Sequence, residues 1–127
     1  MKLLFVDDDK TTVMVAKRHL LEKGFDVIVA YSGEEAIQVY LNSDPKPDVV
    51  LLDYIMPIVD GEKTLEEIKK INPNAIVLMM VQPFVQDEAM ARLRLLSLKE
   101  KGVSGLLLKP VKMTAIEKKI SELLPNI

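Results

Sequence analysis

Short continuous apolar runs alternate along this chain with longer stretches in which apolar residues recur every three or four positions. The runs are Leu3–Val6, Val27–Tyr31, Val49–Leu52, Ile76–Val81 and Leu106–Leu108. Their length and lack of internal alternation predict strands buried on both sides. The stretches between them predict helices. The first carries Val13, Ala16 and Leu20 on one face and stops at Gly24. The second opens on Ser32 and Glu35, spaced as a capping box, and runs through Leu41. Pro45 and Pro47 mark a loop. The third follows a turn bounded by Pro57 and Gly61, with Asp60 placed to cap it. Leu65, Ile68 and Ile71 form its inner face, and Pro73 prevents its extension. The fourth and longest reaches from about Asp87 to Lys101, with Gly102 as its stop. The last sets Ile116, Ile120, Leu123 and Leu124 on one side.

Five strand–helix units follow one another with no linker, repeat or low-complexity stretch, which predicts a single domain over residues 1–127. Continuous apolar strands between amphipathic helices imply an α/β fold, a parallel sheet covered on both faces. In such folds ligands gather at the carboxyl ends of the strands, near a topological switch point. Acids stand at those ends here. Asp7 and Asp8 end the first strand, Asp53 ends the third, and Lys109 follows the fifth.

Composition narrows the chemistry. A formal charge of −2 gives no general electrostatic attraction to nucleic acid or an anionic membrane. The absence of cysteine excludes disulfides, cysteine-ligated zinc and thiol catalysis. The apolar run before Asp7 is too short for a signal peptide or a membrane span. A soluble cytoplasmic domain is the expectation. Three carboxylates brought together repel one another, so their pKa values rise or a cation is bound. A few hard oxygen ligands suit Mg²⁺, which retains waters and accepts phosphate as a further ligand. A lysine facing the acids is a mobile charge suited to a phosphoryl oxygen. A carboxylate beside a divalent cation and a lysine can attack phosphorus to give an aspartyl phosphate. Capping explains Asp9 and Asp60 better than chemistry does. His19, Met79, Met80, Lys118 and Lys119 read as surface or packing residues, and Glu66 with Lys70 as a helix-stabilising pair.

These residues resemble a known family. Phe5-Val6-Asp7-Asp8-Asp9, Leu51-Leu52-Asp53-Tyr54-Ile55-Met56-Pro57 with Asp60-Gly61, and Lys109-Pro110 after a short strand look like the receiver domain of two-component response regulators. The resemblance covers the whole chain. It implies a flavodoxin-like (βα)5 fold with strand order 2-1-3-4-5. It implies a signalling module, not an enzyme, with Asp53 as phosphoacceptor for a histidine kinase or phosphotransfer protein. Asp8, Asp53 and the backbone carbonyl of Ile55 map to direct Mg²⁺ ligands, and Asp7 to one acting through water. Lys109 maps to the phosphate-pairing lysine, and the Lys109–Pro110 bond is cis in the family.

The chain departs from the family in three places. The Ser or Thr usual at the end of the fourth strand is replaced by Val81, and no Ser or Thr occurs between Thr64 and Ser97. The backbone N–H of Gln82 remains to serve a phosphoryl group. The switch aromatic of the fifth strand is replaced by Leu106. A hydrogen bond to a charged group contributes about 1.5–3 kcal/mol, enough to remove most of the usual coupling between phosphorylation and shape. Third, the segment between strands four and five is about six residues longer than usual, nearly two extra helical turns. On its helix Ala89, Met90, Leu93 and Leu96 share a face that reads as core. Ala91, Leu95 and Leu98 lie nearly opposite and read as a surface for a second copy or an output partner.

Two other readings compete with the phosphoacceptor. In one, the chain is a degenerate receiver that works by protein contact without regulated phosphorylation, as Val81 and Leu106 suggest. In the other it is a phosphatase, because Asp7-Asp8-Asp9-Lys10-Thr11 also fits the D-x-D-x-T motif of haloacid-dehalogenase-like enzymes. Those enzymes need a further acid after the fourth strand, and Ile76–Val85 contains none. No DNA-binding or catalytic effector follows Asn126, so the expectation is a single-domain regulator or a fragment of a longer one.

Overall fold

The computed structural model describes residues 1–56, 60–82 and 88–124, without the side chains of Glu88 and Ala91. The expected boundary residues Pro57 and Asp87, and the side chain of Ala91, therefore lie outside the described residues. Strands β1 (Lys2–Val6), β2 (Asp26–Ala30), β3 (Val49–Asp53), β4 (Val77–Val81) and β5 (Gly105–Leu108) alternate with α1 (Lys10–Glu22), α2 (Gly33–Asn42), α3 (Gly61–Ile71), α4 (Glu88–Glu100) and α5 (Met113–Leu123). The strands are all parallel, in the order β2-β1-β3-β4-β5. This is the flavodoxin-like fold, with predicted and observed strand boundaries one residue apart at most.

Period-2 geometry divides the strand residues between two apolar layers. Leu4, Val6, Val50, Leu52, Val77 and Met79 join Tyr40, Leu65, Ile68 and Leu98 beneath α2, α3 and α4. Leu3, Phe5, Leu51, Leu78 and Met80 join Val13, Leu20, Ile116 and Ile120 beneath α1 and α5. Both layers have helical cover, which is why the strands read as unbroken apolar runs. The helix starts are held as expected. Asp9 accepts from the N–H groups of Thr11 and Thr12, Ser32 from Glu35, and Asp60 from Lys63. Gly24 and Gly102 both have φ of +91°, the left-handed region that favours glycine just past a helix end.

The fourth helix sits the other way round from expectation. Leu98, assigned to the outer face with Ala91 and Leu95, is 2% exposed and packs into the layer with Leu65 and Met79. Leu95 is half-buried. Met90, Leu93 and Leu96, assigned to the core, are 46%, 60% and 56% exposed, and Ala89 is exposed with them. Two apolar stripes of similar hydrophobicity cannot settle between themselves which one meets the sheet. Polar partners decide it. Ser97 and Lys101 lie in the same sector as Leu98 and bond Glu62 of α3. Turning the helix over would break both bonds to expose one stripe in place of another. The pairing on α3 also differs from expectation. Glu66 meets Lys63 and Lys101, and Lys70 meets Glu67.

Candidate functional site

Backbone pairing alone assembles the strand-end acids. The Asp7 N–H donates to Ala30 O at 3.2 Å, fixing the end of β1 against β2. Asp53 is the last residue of β3 and stands opposite Met80 of β4. The Lys109 N–H donates to Val81 O at 2.9 Å, which carries the lysine to the same edge from the far side of β4. Oxygens of Asp7, Asp8 and Asp53 come within 4.8 Å of one another. Lys109 Nζ lies 2.8 Å from Asp53 Oδ1 and 3.6 Å from Asp7 Oδ2. The four charged residues expected from the sequence are therefore brought together. The Lys109–Pro110 bond is cis, as expected.

The acids differ in surroundings. Asp7 and Asp53 are buried, whereas Asp8 is exposed. Burial pushes the Asp7 carboxyl above its usual range, as do the charges of Asp53 and Asp8, while the Asp9 N–H and Lys109 pull the other way. Burial draws Lys109 downward, but its bond to Asp53 and the charges of Asp53 and Asp7 outweigh that and hold it above its ordinary value. Asp7 already has both oxygens engaged. Its Oδ1 accepts from the Asp9 N–H at 3.0 Å and its Oδ2 faces Lys109. Asp8 makes no hydrogen bond or ion pair among the described residues. This donor set suits a hard divalent cation. It offers carboxylate oxygens alone, one of them free and facing solvent, with a net negative charge that a single lysine does not cancel.

The remaining expected residues frame this cluster. Val81 closes β4, and Leu106 lies opposite Met79 on β5. Both pack, half-buried, against the apolar layer beneath α4 and bring no hydroxyl or phenol to the site. Gln82 follows at once and is exposed. The Ile55 side chain is 63% exposed, so it serves neither the core nor the acids. A cleft of about 730 Å³ opens beside the acids between α1 and the start of α5, lined among others by Asp7, Thr11, His19, Gln82, Lys109 and Pro110. His19 is thus a surface residue on the cleft wall.

Two features escaped the sequence reading. Gly61 is wedged against the end of β3. A Cβ there would come 2.4 Å from Asp53 O and 2.7 Å from Tyr54 Cα, and its N–H donates to Tyr54 O at 3.0 Å. Beside it, Glu62 holds Ser97 of α4 and Lys101 just past its end. The hydrogen bonds from Lys101 and Ser97 lower the Glu62 pKa, and the bond to Glu62 raises that of Lys101. The one sequence signal was the i,i+4 spacing of Ser97 and Lys101 beside Leu98. Their partner lies 35 and 39 residues away.

Comparison with known proteins agrees with the fold. The sequence model of the response regulator receiver domain matches residues 3–121. The transcriptional regulatory protein CpxR of Klebsiella pneumoniae is 35% identical over 78 residues, 61% of this chain and 32% of that protein. The probable transcriptional regulator ycf27 of Porphyridium aerugineum is 29% identical over 126 residues, 99% of this chain and 49% of that one. The chain thus spans a third to a half of the length of these relatives. A receiver domain protein from Clostridium thermocellum superposes with a TM-score of 0.84 at 29% identity, covering 98% of this chain and 94% of its own. A structure from Borrelia burgdorferi, described as a CheX–CheY complex with beryllofluoride and Mg²⁺, gives 0.82 at 29% identity, covering 97% and 88%. Among the described residues no helix is long and apolar enough to cross a membrane.

Proposed function

The chain belongs to the response regulator receiver domain family, a family of phosphorylation-based signalling modules, and on that premise we propose that Asp53 accepts a phosphoryl group in a Mg²⁺-dependent reaction. The observation that carries this is the Asp53 carboxylate at the end of β3, with Lys109 Nζ at 2.8 Å and the carboxylates of Asp7 and Asp8 beside it. The donor is a phosphohistidine of a histidine kinase or phosphotransfer protein. An Asp53 oxygen forms the new bond to phosphorus as the P–N bond of the donor breaks, and the electron pair leaves on the imidazole. Lys109 and the backbone N–H of Gln82 then bind phosphoryl oxygens. Asp8, Asp53 and the carbonyl of Ile55 hold Mg²⁺ directly. Asp7, with both oxygens engaged, acts through water. The cation offsets the charge that a phosphoryl group brings to an acidic site.

We take residues 1–127 as one receiver domain and the cytoplasm as its location. A second copy or an output partner that meets α4 would use the Leu93 and Leu96 side, since Leu98 is buried. Val81 at the end of β4 favours a second reading, a degenerate receiver that signals by contact alone. Incubation with acetyl phosphate or phosphoramidate plus Mg²⁺ separates the two. The phosphoacceptor reading expects a phosphoryl mass gain on the wild type and none on Asp53→Ala. A wild type as silent as the variant overturns it in favour of the degenerate one.

A further inference from the structure

A receiver without a hydroxyl at Val81 or an aromatic at Leu106 needs another route from the phosphoacceptor to its surface, and the contacts of α4 supply one. Leu98 is the one side chain of this helix that is fully buried among the described residues. Polar contacts near its C-terminal end tie it to α3. Ser97 Oγ donates to Glu62 Oε1, and Lys101 Nζ sits 2.7 Å from the same oxygen and 3.2 Å from Glu66 Oε1. The Glu62 and Lys101 side chains are 21% and 31% exposed, so water competes for these bonds less than it does for a surface pair.

Glu62 is also the residue after Gly61, whose backbone touches the Asp53 carbonyl and the Tyr54 Cα with no space for a methyl group. A shift of the Asp53–Tyr54 backbone therefore passes to the first turn of α3 without slack. Hydrogen bonds weaken steeply beyond a narrow range of distance and angle. A small displacement of Glu62 would loosen both of its bonds to α4 together.

Resting on the phosphoacceptor reading, we infer that Glu62, Ser97 and Lys101 form a clasp between α3 and α4. It is closed in the unphosphorylated chain and opens when a phosphoryl group occupies Asp53, in place of the hydroxyl–aromatic pair. The clasp and the acidic site are then thermodynamically coupled. Whatever opens one favours the other by the same factor.

The test uses the full chain, with beryllofluoride and Mg²⁺ as the phosphoryl mimic. Binding is read by ¹⁹F NMR and the state of α4 by amide hydrogen exchange. In the wild type, the mimic should speed exchange across residues 97–101 about fivefold, toward the lower end of ordinary coupling. Glu62→Gln and Lys101→Met should exchange at that faster rate without the mimic and bind it about fivefold more tightly. The double variant should go no further than either single one, because both cut one link. Ser97→Ala removes one bond with little steric change and gives the same readout if another variant fails to fold. Glu67→Gln, which loses only contacts within α3, should behave as wild type.

Clasp variants that match the wild type in both measurements overturn the inference while the phosphoacceptor reading stands. So do variants that speed α4 exchange but leave mimic affinity unchanged, since the clasp is then only structural. A wild type with no bound fluoride resonance overturns the phosphoacceptor reading and the inference with it.

Discussion

The strand-end site and the fourth helix are neighbours held in very different ways. Asp7, Asp53 and Lys109 sit on backbone that is hydrogen-bonded into the sheet, with apolar layers above and below. The fourth helix is held by one buried leucine and by a polar cluster at its C-terminal end, with most of its other described side chains exposed. The first region is held by the sheet itself, the second by side chains. On the phosphoacceptor reading, the shift at Asp53–Tyr54 stays small and the larger response falls on the fourth helix.

Substitutions at the two regions sharpen this contrast. The largest effect is expected from Asp53→Ala, which should abolish phosphoryl uptake measured by mass spectrometry while leaving the circular dichroism spectrum unchanged. Leu98→Ala comes next. It should destabilise the chain by about 2–4 kcal/mol in urea unfolding, the usual range for a buried leucine. Leu93→Ala and Leu96→Ala, on the open side, should fall within about 0.5 kcal/mol of wild type. Equal losses from the two sides would show that the helix packs on both.

On the phosphoacceptor reading, Lys109→Ala removes a charged bond to the phosphoryl oxygen. It should weaken beryllofluoride binding by about 1.5–3 kcal/mol, or roughly 10- to 100-fold in a fluorescence-free titration such as calorimetry. A further effect, with a pH dependence, concerns Asp7. Its carboxyl is held above the ordinary value of 3.8, so the folded chain binds this proton more tightly than the unfolded one. That contribution is fully present below the ordinary value and is lost as pH rises through the raised one. At neutral pH the buried charge is a cost. Asp7→Asn should therefore raise the Tm of the metal-free protein by about 3 °C, on the order of 1 kcal/mol. Added Mg²⁺ should narrow the gap by stabilising the wild type more than the variant.

The same division explains how much could be read from the sequence. Local signals fixed β1, β3 and their terminal acids, because an unbroken apolar run ending in aspartate has few other interpretations. Asp9, Ser32 and Asp60 were legible as caps because their partners lie two or three residues away. The orientation of the fourth helix was not legible. Its two stripes are near equals, and the choice between them rests on Glu62, which belongs to another helix. Gly61 reads in the sequence only as a turn residue, since its contact with Asp53 O exists only once α3 has folded back onto β3.

That glycine works as the thinnest possible shim between a helix and the strand that ends in Asp53. Any added side-chain carbon would have to displace the helix or the strand, because what it meets is backbone. Gly61→Ala is thus a way to lift the third helix off Asp53 and Tyr54 without altering a single ionisable group. It separates position from charge in this molecule, which no change among the acids or the lysine can do.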